Sequence, residues 1–127
     1  AHSKMMKYFK YHEFDSPDVD GSGQMMDKDF LMMLEAAREI YGQPMRINSG
    51  FRTEEYNEQL KAKGYKASPN SSHLKGLAAD IECTNSTDRY NLIDSLLKAG
   101  FNRIGIADTF IHVDHDMSKA PFVIWTY

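Results

Sequence analysis

Ser71-Ser72-His73-Leu74-Lys75-Gly76-Leu77-Ala78-Ala79-Asp80 is the stretch on which the reading of this chain turns. Within it Ser71, His73, Gly76, Ala78 and Asp80 stand in the order S-x-H-x-x-G-x-A-x-D. Seven positions separate His73 from Asp80, too many for one helical face unless the chain turns between them. Gly76 is the residue that permits such a turn. The spacing therefore predicts His73 on a loop and Asp80 on a strand, Ala78-Ala79-Asp80-Ile81-Glu82. Further on, Phe110-Ile111-His112-Val113-Asp114 reads as a second strand. Alternation puts Ile111 and Val113 on one face and Phe110, His112 and Asp114 on the other. The aliphatic pair is expected in the core, with His112 facing a cleft.

Two imidazoles and a carboxylate make an open metal site. A catalytic zinc ion usually takes three protein ligands and keeps a fourth position for a water, which it acidifies while polarising a carbonyl. His73, Asp80 and His112 fit that count and are the candidate ligands, with Zn2+ as the cofactor. His115 falls on the Ile111/Val113 side of its strand and is the weaker candidate. His2 and His12 read as surface or hydrogen-bonded histidines.

The S-x-H-x-x-G-x-A-x-D pattern, the Ser49-Gly50-Phe51-Arg52 segment before it and the His-x-Asp strand after it closely resemble the M15 family of zinc peptidases, above all its short bacterial and phage members. The resemblance runs from about Phe14 to Trp125. It implies the α+β fold shared by zinc D-Ala-D-Ala carboxypeptidases, L-alanyl-D-glutamate endopeptidases of phage lysins and the signalling domain of hedgehog proteins: an antiparallel sheet flanked by helices. It also implies hydrolysis of peptidoglycan stem peptides at the bacterial cell wall. By the same resemblance Arg52, at a strand-to-helix turn, lies near the substrate. There a guanidinium can grip a carboxylate or oxyanion with paired hydrogen bonds. Ser71 either contacts substrate or braces the loop of the metal histidine.

A hydrolase of this kind needs a group to take a proton from the metal-bound water and return it to the leaving amine. Many M15 enzymes carry Glu or Asp three residues before the last histidine ligand, whereas Thr109 stands there in this chain. Asp108, one residue earlier, is the favoured substitute, because a bulge can carry it into that place. Asp114, on the His112 face, is the second candidate. The missing acid leaves a rival open, a metal-holding module that binds cell-wall peptide or a protein partner without cutting it.

With 127 residues the chain matches one domain, residues 1–127, and at 42% apolar and 12% aromatic it can bury a core. A net charge of −3 provides no basic field for nucleic acid phosphates, so nucleic acid is excluded as a partner and the few cations must gather at the site. A monomer is expected. Cys83, the one cysteine, rules out an internal disulfide and reads as a small half-buried side chain ending the Asp80 strand. No run approaches the roughly 20 apolar residues of a membrane span.

The remaining elements follow from periodicity and punctuation. Asp15 to Gly23 reads as a polar loop, its Asp18-x-Asp20 lacking the rest of a calcium loop. Phe30, Leu31, Leu34, Ala37 and Tyr41 form the stripe of an amphipathic helix capped by Asp27 and stopped by Gly42. Arg46 to Ser49 is a strand candidate, Thr53 caps a helix reaching Leu60, and Gly64 to Ser72 is a loop delivering His73. Thr87 to Ala99 is a further helix closed by Gly100. Arg103-Ile104-Gly105-Ile106 pairs with the His112 strand through the turn Ala107-Asp108-Thr109. Phe122, Trp125 and Tyr127 are expected to close the core, with a cleft wall as the alternative.

Overall fold

A computed structural model of the chain describes residues 6–127, and His2 lies outside them. The described residues form three α-helices, α1 (Lys28–Tyr41), α2 (Glu54–Ala62) and α3 (Ser86–Lys98). They also form β1 (Ile47–Ser49), β2 (Ala78–Glu82), β3 (Arg103–Ile106), β4 (Phe110–Asp114) and β5 (Val123–Thr126). The fold is α+β.

Each helix begins where a short polar side chain satisfies an otherwise orphaned amide. Asp27 accepts from Phe30 N–H at 2.9 Å, Thr53 from Tyr56 N–H at 3.0 Å and Asn85 from Asp88 N–H at 2.8 Å. Such caps stabilise a helix by about 1 kcal/mol each. Gly42 ends α1 as expected.

The five strands lie in the order β1-β2-β4-β3-β5. Four of them pair antiparallel, and β5 adds to the edge of β3 in parallel. The sheet is thus mixed, and β5 is an element the sequence pattern did not announce. Phe122, just before it, takes a left-handed φ of 60°, which non-glycine residues seldom adopt.

In β2 and β4 the two-residue alternation decides which face is core. Ala79, Ile81, Ile111 and Val113 are buried with Ile104 against Phe30, Leu34, Leu92, Leu96 and Phe101. The helical layer thus covers one face of the sheet, with α1 packed against α3. A fully buried Leu, Ile or Phe contributes roughly 1.5–3 kcal/mol, so this layer fixes the register. The β2–β4 pairing sets Asp80 directly opposite His112, both on the face turned away from that core. Cys83 is 4% exposed, more enclosed than its half-buried reading, and burial pushes its thiol upward, away from the reactive thiolate.

Before α1 the chain is held by side chains from elsewhere. Glu35 of α1 accepts the amides of Lys7, Tyr8 and Phe9 at 2.6–2.9 Å. Asp15 accepts those of Gly21 and Gly23, so the Asp15–Gly23 stretch is a self-bonded polar loop. No helix among the described residues is long and apolar enough to cross a membrane.

Candidate metal centre

His73 sits in a single 3-10 turn, Ser72–Lys75, a tighter local structure than the loop expected of it. Ser71 caps the turn by accepting His73 N–H at 3.2 Å, and Gly76 ends it at a φ of 71°. A Cβ on Gly76 would lie 2.4 Å from the Met25 carbonyl oxygen, so glycine is required there for space as well as for the turn. Ser71 thus braces the His73 turn, and it also lines the cleft.

His73, Asp80 and His112 each turn one donor atom to a common point, all within 4.8 Å of one another and all buried. His73 Nε2 lies 3.3 Å and His112 Nδ1 2.9 Å from the same Asp80 oxygen, Oδ1. Two ligands on a tetrahedral zinc with bonds of 2.0–2.1 Å stand about 3.3 Å apart, so small shifts of this set would admit such an ion.

The outer atoms of the three side chains are also occupied. The second nitrogen of His73, Nδ1, faces the Gly50 carbonyl at 2.7 Å, and that of His112, Nε2, faces Asp114 Oδ2 at 2.7 Å. An acceptor at the outer nitrogen favours a proton there, which is the arrangement a metal-binding imidazole needs once an ion takes the place of the inner contact with Asp80. A Cβ on Gly50 would fall 2.7–2.9 Å from Phe14, so only glycine brings that carbonyl in this close. Asp80 Oδ2 lies 3.6 Å from Arg52 Nη2, whose guanidinium is further held by Ser49 and Asn57.

Electrostatics follow from this packing. Burial favours neutral His73 and pulls its pKa down. Burial works the same way on His112, but its hydrogen bonds with Asp114 and Asp80 outweigh it and raise the ring above the usual histidine value. Burial would raise Asp80, yet His73 and His112 overcome it and hold the carboxylate well below its ordinary range. Burial lowers Arg52, with Asp80 opposing.

The two proton-acceptor candidates have different fates. Asp108 is exposed on the β3–β4 turn, where its carbonyl accepts from Arg89. It is absent from the residues lining the cleft and lies in the bend before β4, four residues from His112. No bulge brings it in, because β4 pairs in regular register with β2 and β3 through His112. Asp114 lines the cleft but is 1% exposed, with Oδ2 on His112 and Oδ1 taking Arg103 Nε at 2.6 Å and Asp116 N–H at 3.3 Å.

His12 and His115 stand apart from the cluster. His115 lines a separate small cavity of about 140 Å³. Trp125 and Tyr127 line the cleft rather than closing the core, the Trp125 ring lying 5.5 Å from that of His112. Phe122 does neither, being 84% exposed.

Asp116 escaped the sequence reading. It is 2% exposed and accepts from Ser72 Oγ at 2.7 Å, Ser118 Oγ at 2.6 Å and Lys75 Nζ at 3.2 Å, which ties the segment after β4 to the His73 turn. Its Asp-x-Ser spacing with Ser118 is the sole local trace of this role.

No curated protein matches the chain. The description of the Peptidase M15 family matches residues 7–114, the span that holds Arg52, the three convergent side chains and Asp114. On that match over most of its length, the chain belongs to the Peptidase M15 family.

Proposed function

We propose that residues 1–127 form one zinc-dependent peptidase domain that hydrolyses peptide bonds in peptidoglycan stem peptides at the bacterial cell wall. The observation that carries this reading is the convergence of His73 Nε2, Asp80 Oδ1 and His112 Nδ1 beside an open cleft, with each outer ring nitrogen already satisfied. Membership of a peptidase family supports the reaction class. The donor set suits zinc, which takes imidazole nitrogen and carboxylate oxygen.

In this reading His73, Asp80 and His112 hold Zn2+, which when bound supplies an acidified water and polarises the scissile carbonyl. Gly50 and Asp114 keep both imidazoles in the ligating tautomer. Arg52 steadies Asp80 through its outer oxygen and presents its remaining N–H groups to the cleft, where a substrate carboxylate or developing oxyanion is stabilised. Ser71 holds the His73 turn.

Proton transfer is the part for which, among the described residues, no free carboxylate lines the cavity that holds His112. Asp114 has both oxygens engaged, and Asp108 is remote. General acid–base catalysis typically contributes 10²–10⁴-fold, so turnover resting on metal and Arg52 electrostatics is expected to be slow. The same observation favours a second reading, a zinc-holding module that binds cell-wall peptide without cutting it.

Zinc-loaded protein incubated with isolated peptidoglycan or defined stem peptides separates the two. A peptidase releases new amino termini, visible by mass spectrometry, and loses that activity on His112→Ala but not on His115→Ala. Binding without release of any terminus defeats the proposal and supports the second reading.

A further inference from the structure

The two histidines of the cluster come from separate pieces of chain, the single 3-10 turn Ser72–Lys75 and the central strand β4. A 3-10 turn has poorer hydrogen-bond geometry than an α-helix, so its orientation is set by what holds it from outside. The backbone supplies part of that hold. His73 C=O accepts Arg52 N–H at 3.2 Å, and Leu77 C=O accepts His115 N–H at 2.9 Å just past β4. The side chains that complete it converge on Asp116.

The buried Asp116 carboxylate takes the residues on either side of His73. Ser72 Oγ donates to its Oδ2 at 2.7 Å and Lys75 Nζ at 3.2 Å. Its Oδ1 accepts Ser118 Oγ–H at 2.6 Å and Ser118 N–H at 3.1 Å, which closes the segment after β4 on itself. The Asp116 backbone N–H donates at 3.3 Å to Asp114 Oδ1, and the other oxygen of Asp114 faces His112 Nε2. One residue therefore holds the His73 turn through its side chain and the partner of His112 through its main chain. Lys119 Nζ reinforces the joint by donating to Ser72 Oγ at 2.9 Å and to the Asn70 carbonyl at 2.8 Å. A buried carboxylate is costly unless it is fully hydrogen-bonded. Here both oxygens are satisfied, and a satisfied buried network is rigid.

We propose that Asp116 is a positioning residue for the metal, setting the separation of His73 and His112 by locking the His73 turn to the Asp114 carboxylate. This rests on the reading of His73, Asp80 and His112 as zinc ligands. It adds that affinity for the ion depends on Ser72 and Asp116, neither of which belongs to the ligand set. Ligands must be held within about 0.5 Å of their working geometry, so freeing one end of the joint is felt as lost affinity.

The test is chelator competition for zinc near pH 7 on the full chain, with thermal unfolding of the zinc-free protein alongside. Ser72→Ala deletes one donor to Asp116 at little cost in volume. Asn85→Ala removes the α3 cap, away from the cluster, and serves as the control for lost stability. Ser72→Ala should weaken zinc binding by about tenfold, the lower end of the loss seen when a partner beyond the ligands is removed. Asn85→Ala should stay within about twofold of wild type, the width set by error in such a competition rather than by any coupling. The double variant Ser72→Ala/Asp116→Asn should bind no more weakly than Asp116→Asn alone, because both changes act through one bond. In zinc-free Asp116→Asn the ring 15N signals of His73 should move, a change that lost stability alone does not produce. Ser72→Ala binding zinc like wild type, equal losses in Ser72→Ala and Asn85→Ala, additive losses in the double variant, or unmoved His73 signals would each overturn the inference while leaving the zinc ligands standing. Failure of the wild-type chain to bind zinc overturns both.

Discussion

Replacing Asp114 by asparagine changes one atom's chemistry and should weaken zinc binding without touching a ligand. In the wild-type site three N–H donors converge on this carboxylate: His112 Nε2 at 2.7 Å, Arg103 Nε at 2.6 Å and the Asp116 amide at 3.3 Å. Asparagine has one acceptor oxygen and turns an NH2 group toward the other side. The charged Arg103 takes the oxygen, because hydrogen bonds to an ionised group are about twice as strong as neutral ones. His112 then meets a donor at Nε2 and must shift its proton to Nδ1, the nitrogen that faces the metal position. Loss of a partner beyond the ligand set typically costs 10–100-fold in metal affinity, and a forced change of tautomer belongs at the upper end, about 100-fold. Arg103 also loses its buried counter-charge, with a destabilisation of about 3 kcal/mol, or about 11 °C in Tm for a chain of this size. Chelator competition near pH 7 measures the affinity, and thermal unfolding of zinc-free protein measures the stability. Reduced stability with zinc affinity unchanged within about twofold would refute the tautomer argument. Unchanged affinity with a collapse of kcat at saturating zinc would instead make Asp114 the proton carrier.

Three further outcomes follow from the packing. Burial would raise the Asp116 carboxyl, but Ser118, Ser72 and Lys75 outweigh it and hold it well below the ordinary carboxylate range. Its stabilisation is therefore present above the unfolded value near 3.9 and is lost as pH falls through the lower folded value; Asp116→Asn should cost about 2 kcal/mol at neutral pH, and an equal gap from neutral to strongly acidic pH would contradict this. Gly105→Ala places a methyl 2.8 Å from the Trp125 indole, so Trp125 must leave its place beside His112, and the substrate KM should rise while the fold persists; an unchanged KM would show that Trp125 does not contact substrate. Phe122→Gly relieves the left-handed φ at a residue 84% exposed and should stabilise by about 0.5–1 kcal/mol, with loss of stability in denaturant melts as the contrary result.

What could be read in advance depended on how locally each feature is encoded. The strand carrying His112 alternates every two residues, and Gly76 marks a turn, so those elements and the burial of Ile111 and Val113 followed from the residues alone. Convergence of His73, Asp80 and His112 came from recognising a motif, since spacing says nothing about strand order. The partners beyond them were hidden because they are distant in sequence or lie in the backbone. Gly50 contributes a carbonyl 23 residues from His73, and Asp116 meets Ser72 across 44 residues. Asp108 reaches the site only through a bulge and the ladder is regular, while Asp114 is taken up by a rotamer that reaches both His112 and Arg103. Strand β5 leaves no such trace because none of its residues is buried: Ile124 is 55% exposed and Trp125 lines the open cleft, so no core face sets a pattern.

The central claim is that one zinc ion is held by side chains 73, 80 and 112. Crystallographic anomalous difference maps recorded across the zinc absorption edge test it directly. The account predicts one strong peak about 2.0–2.2 Å from His73 Nε2, Asp80 Oδ1 and His112 Nδ1, with Asp114 still on His112 Nε2. A peak at His115 or elsewhere, or none after zinc loading, would contradict it.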